Sequence, residues 1–225
     1  IRGLGEQKLA YYAELFGLGA RSGIDLPGET SGLIPTSKWK RLNYSESWVT
    51  GDTYNMAIGQ GFVLATPLQM VNATAAIANG GILYRPQIVR EVLDEEGKVV
   101  RAFAPDVIRR LPISATNIDL VRQGMRAAVA GPGATARTAN LPGVAVAGKT
   151  GTAEFFIDTN KDGLPDRDRE GHLPTHSWFV AFAPYENPEI ALVAFVFGGG
   201  EGSAVAAPIA REILAYYFGR DMEED

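Results

Sequence analysis

"GVAVAGKTGTAEFF", residues 143–156, satisfies two incompatible patterns. Gly143 to Thr150 fits the phosphate-loop formula G-x-x-x-x-G-K-[ST] letter for letter. Such a loop needs a hydrophobic strand before its first glycine, a flexible turn, and a helix that starts at the Lys-Thr pair. The flanks supply none of these. "RTANLP" (137–142) is no strand, and the spacer Val144-Ala145-Val146-Ala147 consists of β-formers. Beyond Thr150, Gly151 and the pair Phe155-Phe156 stand where a helix should grow, and "IALVAFVFGGG" (190–200) ends in glycines rather than in a magnesium-holding Asp. The stretch is expected to be a β-strand.

Read as a strand bordering a cleft, each letter acquires a use. An edge strand holds an extended peptide through its backbone. Lys149 places a positive charge in the cleft, and the hydroxyls of Thr150 and Thr152 hydrogen-bond a carboxylate. Gly151, with no side chain, lets another backbone or a ligand approach. Three letters alone leave open an ordinary core strand with an exposed lysine.

Around this strand the last third of the chain reads as sheet. "SWFVAFAP" (177–184) and "IALVAFVFGG" (190–199) are apolar runs of strand length, and "AVAAPIAREILAYYFGR" (204–220) reads as a closing helix. "NIDLVRQGMRAAVA" (117–130) puts Ile118, Val121, Met125 and Ala128 on one helical stripe, stopped by Gly131-Pro132-Gly133. Earlier, Thr66-Pro67-Leu68-Gln69 spells a capping box with Pro at the first helical position, and Gly80-Gly81 ends that helix. "ILYRPQIVREVL" (82–93), a turn over Asp94–Gly97, and "KVVRAF" (98–103) read as a hairpin. Residues 20–65 read as a long irregular stretch. The first helix, with Tyr11/Leu15 and Tyr12/Phe16 spaced i, i+4, stops at Gly17-Leu18-Gly19. The acidic tail "DMEED" (221–225) reads as a frayed end.

The composition excludes several classes. Of 225 residues 46% are hydrophobic and 21% charged, ordinary for a globular domain with a real core. A net charge of −5 with no basic patch argues against nucleic acid. Without a single cysteine, thiol catalysis, zinc-thiolate sites and disulfides are excluded. No apolar run is long enough to span a membrane. The chain starts inside a helical pattern without an initiator Met, so it is expected to be a piece of a longer protein.

Across nearly its whole length the chain resembles the class B penicillin-binding proteins, whose motif set includes K-T-G. The resemblance rests on "GDTYNMAIGQGFVLATPLQMVNATAAIANGG" (51–81), "GATARTA" (133–139), "GKTGTAE" (148–154) and "HSWFVAFAPYENPEIALVAFVFGGG" (176–200), in the family's order. "GIDLPGETSGLIPTSKWK" (23–40) and the "GDTYNMAIGQG" wording look most like the penicillin-binding protein 2 type, which serves cell elongation. The resemblance implies an α/β (α+β) fold, with the K-T-G strand in an antiparallel sheet packed by helices. Residues 1–225 would form the C-terminal portion of one D,D-transpeptidase domain. It further implies a serine that attacks the D-Ala-D-Ala bond of peptidoglycan stem peptides and is acylated by β-lactams. Lys149 would stabilise charge and maintain the proton relay. Thr150 and Thr152 would bind the substrate carboxylate, with Gly151 between them. The Thr152 N–H would form half of the oxyanion hole. No cofactor is required. An extracytoplasmic, membrane-anchored location beside a glycan-polymerising partner is implied by the family alone. A D,D-carboxypeptidase or β-lactamase on the same fold, and a non-catalytic β-lactam sensor, remain as alternatives.

The family's S-x-x-K nucleophile and S-x-N motif would precede Ile1. Ser37-Lys38-Trp39-Lys40 matches S-x-x-K, but Pro35, Arg41 and Asn43 around it read as a surface element, not as the start of a buried apolar helix. The chain is therefore expected to carry the carboxylate-binding wall, to be inert alone and, without the family's central helix, to expose apolar surface or self-associate.

One further loop stands out. In "DTNKDGLPDRDRE" (158–170), Asp158, Asn160, Asp162 and Asp166 occupy positions 1, 3, 5 and 9 of a calcium loop, with Gly163 at 6 and the Leu164 carbonyl at 7. Position 12 is Arg169 and the nearest acid, Glu170, lies one step late. The spacing makes the loop a candidate for a structural Ca²⁺, set against a solvated acidic turn. His172 and His176 have metal-pair spacing, but Pro174 between them forbids the helix that would bring them together.

Overall fold

The computed structural model describes residues 3–220. The acidic tail lies outside them. The described residues form two compact units that meet in sequence between Ile113 and Ser114.

In the first unit, α1 (Gly5–Leu15) buries Ala10 in a small core with Ile34 and Met56, lined by Leu18, Trp48 and Val63. The stretch read as irregular contains two helices, α2 (Ser37–Tyr44) and α3 (Thr50–Ala57). α2 starts on a side-chain cap, and α3 on the reciprocal contact from its third residue. Thr36 Oγ1 accepts from Trp39 N at 3.1 Å, satisfying an orphan amide of the first turn, and Asp52 Oδ2 accepts from the N-cap amide of Val49 at 2.8 Å. Helix α4 (Pro67–Ala78) has the full capping box, Gln69 N to Thr66 Oγ1 at 3.1 Å and Thr66 N to Gln69 Oε1 at 2.9 Å. Gln69 also donates through Nε2 to the carbonyls of Ala20 and Ser31, both at 2.8 Å. One buried amide thus caps a helix and ties down the loop that precedes it.

The hairpin is two-tiered. β2 (Glu91–Leu93) pairs with β3 (Val99–Ala102) around the expected turn. "ILY", however, is a separate strand, β1 (Ile82–Tyr84), whose partner is β4 (Val107–Arg110). Pro86 removes a donor in the run read as continuous, so the ladder breaks there and resumes with another partner. Leu83 anchors the inner tier against Ala76 and Leu111.

The second unit is the antiparallel sheet foreseen from the sequence, in the order β5 (Ala147–Glu154), β6 (Thr175–Ala183), β7 (Ile190–Val196). Its register sets Lys149 opposite Val180, Gly151 opposite Trp178 and Thr152 opposite Ser177. One face carries Phe179, Ala181, Leu192 and Ala194 into a core with Ala207, Ala210 and Leu214 of α6 (Ala206–Tyr217). Alanines let the helix ride close to the sheet, while Phe179 and Leu214, fully buried, contribute roughly 1.5–3 kcal/mol each.

Helix α5 (Ala115–Ala130), capped by Ser114, packs along β5. Its buried stripe is Ile118, Met125 and Val129, and Val121 is exposed, contrary to the stripe read from the sequence. The position one turn after Ile118 belongs to Arg122, whose guanidinium lies 5.6 Å from the Phe182 ring centre and 5.4 Å from that of Tyr185 while donating to the Tyr185 carbonyl. Its long stem covers apolar surface that a valine cannot reach.

Candidate active-site wall

The stretch that opened the sequence reading is a strand from Ala147 to Glu154, with no helix at Lys149-Thr150. That removes the phosphate-loop reading. β5 is also an edge: among the described residues β6 is its only strand partner, so alternate backbone groups of Lys149–Thr152 face away from the sheet. Such an edge is a template for an extended chain.

By strand parity Lys149 points to one face and Thr150 and Thr152 to the other. Lys149 is exposed, and its Nζ donates to the Thr150 carbonyl at 2.7 Å. Thr150 is half-buried and Thr152 exposed; Oγ1 of Thr152 accepts a long bond, 3.4 Å, from Gly202 N. The two glycines have separate structural reasons. A Cβ on Gly148 would lie 2.4 Å from Phe179 Cζ, so the ring of the central strand occupies that space. A Cβ on Gly151 would lie 3.1 Å from Trp178 Cβ. The structure thus brings Lys149, Thr150, Gly151 and Thr152 together on one strand edge, an ammonium and two hydroxyls within four residues. Chemically this is a wall able to hold a carboxylate and an extended backbone. A concavity of about 500 Å³ in the same unit, lined by Arg126, Leu141, Pro142 and Glu186 among others, lies before the start of β5 and includes none of these four residues.

The S-x-x-K match resolves differently. Ser37 does open a helix, α2, with Lys40 one turn on, so the motif has more helical context than its flanks suggested. Lys40, however, is 5% exposed and donates to Asp52 Oδ2 at 2.8 Å, with Glu46 Oε2 at 3.3 Å and the Phe62 ring centre at 5.8 Å. The Asp52 hydrogen bond raises the Lys40 pKa above the ordinary lysine value. A lysine that must take a serine's proton has to be neutral, and this one is held charged. Asp52, bonded by Lys40 and by the Val49 amide, is correspondingly more acidic than usual. The sequence reading missed this pair; the signal available to it was Asp52 at the third position of a capped helix.

The acidic loop is tied to itself. Asp158 accepts from the amides of Asp162 (3.1 Å) and Gly163 (2.8 Å), Asp162 from that of Leu164 (2.8 Å), and Asp166 from the Thr159 amide (3.0 Å) and hydroxyl. Those bonds lower the Asp166 pKa. Among the described residues, the carboxylate and imidazole groups that converge are instead Asp168, Glu170 and His172, all exposed. The set Asp158, Asn160, Asp162, Leu164 and Asp166 offers oxygen donors suited to calcium but spends the carboxylates on backbone amides. The two histidines have separate surroundings. His172 Nδ1 sits 3.3 Å from Asp168, whereas His176, on β6, stacks on Phe155 with ring centres 3.9 Å apart and accepts from Gly198 N at 3.2 Å. Burial lowers the His176 pKa and so favours the neutral ring.

With strand, register and wall in place, the comparison with known proteins is decisive. The chain belongs to the penicillin-binding protein transpeptidase domain family, whose model matches residues 2–215. Within it the likeness is to the class B, penicillin-binding protein 2 type. The peptidoglycan D,D-transpeptidase MrdA of Haemophilus influenzae is 32% identical over 98% of this chain and 34% of its own length. Among solved structures, penicillin-binding protein 2 of Pseudomonas aeruginosa, in complex with WCK 5153, superposes with a TM-score of 0.74 at 32% identity, covering 95% of this chain and 43% of that one. The penicillin-binding protein 2 of Helicobacter pylori, in complex with MreC, gives 0.73 at 28% identity, covering 96% and 36%. The chain spans about a third of the length of the curated relatives it matches. Among the described residues no helix is long and apolar enough to cross a membrane.

Proposed function

We propose that the protein containing this chain is a peptidoglycan D,D-transpeptidase of cell-wall elongation, acylated by β-lactams, and that β5 is the carboxylate-binding wall of its site. The observation that carries the reading is the K-T-G sequence on an edge strand, with Lys149, Thr150 and Thr152 presented in a register fixed by β6. The stem peptide lies along this edge. Thr150 and Thr152 hold its terminal carboxylate, Lys149 supplies positive charge, and the Thr152 N–H polarises the scissile carbonyl beside the nucleophile's own amide. The nucleophile itself is a serine outside these 225 residues, since Ser37 is followed by a lysine locked to Asp52.

The peptidoglycan substrate in the relatives' names supports an extracytoplasmic place of work; anchoring through a segment outside these residues and a neighbouring membrane glycan polymerase belong to the same proposal. MreC in the Helicobacter complex supports a protein partner. The same proposal gives the loop at Asp158–Asp166 a structural Ca²⁺.

Incubation with fluorescent penicillin tests the reading. The full-length protein is expected to be labelled covalently, and the 225-residue chain alone to stay dark. Labelling of the isolated chain would overturn the placement of the nucleophile. Hydrolysis of the acyl group without transfer to an amine acceptor would make the protein a carboxypeptidase instead.

A further inference from the structure

The segment after β7 carries Gly198, Gly199, Gly200 and Gly202 within five residues and is bonded to both β6 and β5. Gly200 N donates to the Thr175 carbonyl at 3.0 Å and Gly198 N to His176 Nδ1 at 3.2 Å. Ser177, fully buried on β6, donates from Oγ to the Glu201 carbonyl at 3.1 Å and accepts from Ala206 N at 3.0 Å. Gly202 N reaches Thr152 Oγ1 on β5. The loop is thus docked on the sheet from its first glycine to the start of α6.

Gly202 makes the closest approach. A Cβ there would lie 2.3 Å from the Trp178 carbonyl oxygen, 2.5 Å from the Gly151 carbonyl oxygen and 3.0 Å from the Gly151 nitrogen. All three are backbone atoms, which cannot swing aside as a side-chain tip does. Gly151 and Trp178 are cross-strand partners, so the Gly202 backbone lies against that one rung of the β5–β6 ladder. An edge strand has ladder bonds on one side only, and a second support at this rung limits how far it can shift.

We propose that Gly202 is a positioning residue of the carboxylate-binding wall. Pressed against Gly151 and bonded to Thr152, it sets the placement of Thr150–Thr152, acting through the strand without touching the ligand. The inference rests on the reading of that strand as the wall. Any side chain at 202 has to open the contact from 2.3 Å to the 3.4 Å where ordinary contacts begin, a displacement of about 1 Å. In a preorganised site a shift of that size costs on the order of 10²-fold in rate.

The experiment compares acylation of the full-length protein by a fluorescent penicillin and by the methyl ester of the same compound. Gly202→Ala is expected to slow the carboxylate form by roughly 10²-fold, because both the carboxylate contacts and the Thr152 N–H are displaced, and to slow the ester by less, because it loses only the second, so that the acid-to-ester preference falls by about tenfold. Gly124→Ala, in α5 with nothing within 4 Å of the added carbon, is the matched control and leaves both rates in place. Equal slowing of the two compounds, or no slowing of either, overturns the proposal, because loss of folded protein lowers both alike. If Gly202→Ala fails to fold, Ser177→Ala, which removes one hydroxyl from the same loop anchorage, replaces it. An unchanged acid-to-ester ratio in that variant overturns the proposal just as well. A wild-type protein that penicillin does not label at all removes the reading of the wall, a result separate from a labelled protein whose preference ignores Gly202.

Discussion

Lys40 and Lys149 both stand in short motifs associated with acyl transfer, and the fold treats them in opposite ways. Lys149 is exposed on a strand edge, and the bond its ammonium makes is to the next residue's carbonyl. Lys40 is buried one turn after a serine, between Asp52 and Glu46. A lysine kept for a ligand must retain unspent hydrogen-bonding capacity facing the cleft. A lysine kept for the fold is neutralised by carboxylates, which restore much of what burial removed. The motif letters do not distinguish the two cases. Their surroundings do.

The largest expected effect breaks the comparison at Lys149. In the full-length protein Lys149→Ala should lower penicillin acylation by roughly 10²–10³-fold, the scale of losing one electrostatic stabiliser, while the melting temperature hardly moves. Ser37→Ala should leave acylation within about twofold, the scale of a surface change remote from the chemistry. If instead Ser37→Ala abolishes labelling, the two lysines have been assigned the wrong way round.

Much of that assignment was legible before the structure, because local rules carried it. The capping box at Thr66 depends on residues within one turn, and the rejection of a phosphate loop on the letters flanking Gly143. What failed to show was non-local. Helices α2 and α3 are only two turns each and hidden among glycines and prolines, so periodicity has too few residues to register. That "ILY" pairs with Val107–Arg110 rather than with "KVVRAF" depends on which strand wins a ladder after Pro86, a competition no spacing encodes. Arg122 took a core position because two aromatic rings far along the chain receive its guanidinium. Gly202 looked like any loop glycine until the Gly151 backbone was found against it. At the candidate site, the strand that sets Lys149, Thr150, Gly151 and Thr152 in a row was readable, whereas the Gly202 backbone behind it was not.

A smaller effect sharpens the comparison at Lys40. The Lys40 hydrogen bond, with the Val49 amide, lowers the Asp52 pKa in the folded protein. The stability from this ion pair is therefore fully present above the ordinary aspartate value of about 3.9, and it is lost as pH falls through the lower folded value. Asp52→Asn should be less stable than the wild type at neutral pH, and the two melting curves should converge in acid. Lys40→Met, which leaves Asp52 without its cation, should show a midpoint of acid unfolding shifted upward. A wild type and an Asp52→Asn variant that keep a constant difference from pH 7 to pH 2 would show that packing, rather than charge, holds this lysine.

The smallest effect concerns the acidic loop, where charge is neither paired as at Lys40 nor presented on an edge as at Lys149. Asp158, Asp162 and Asp166 satisfy backbone amides of their own loop, so a calcium ion has to share oxygens already in use. Arg169 stands where a bidentate acid completes the strongest loops of this spacing, which places the affinity with weak extracellular sites, Kd on the order of 10⁻³ M. At about 10 mM Ca²⁺ such a site stabilises by roughly 1.4 kcal/mol. For a chain of this length that corresponds to a rise in melting temperature of about 3–5 °C. Asp162→Asn should abolish the rise, and Mg²⁺ should not reproduce it, because the smaller ion demands a tighter octahedral cage than a flexible loop provides. An equal response of Asp162→Asn and wild type would trace the shift to the convergent exposed group Asp168, Glu170 and His172, and a wild type indifferent to calcium would leave the loop a self-bonded turn.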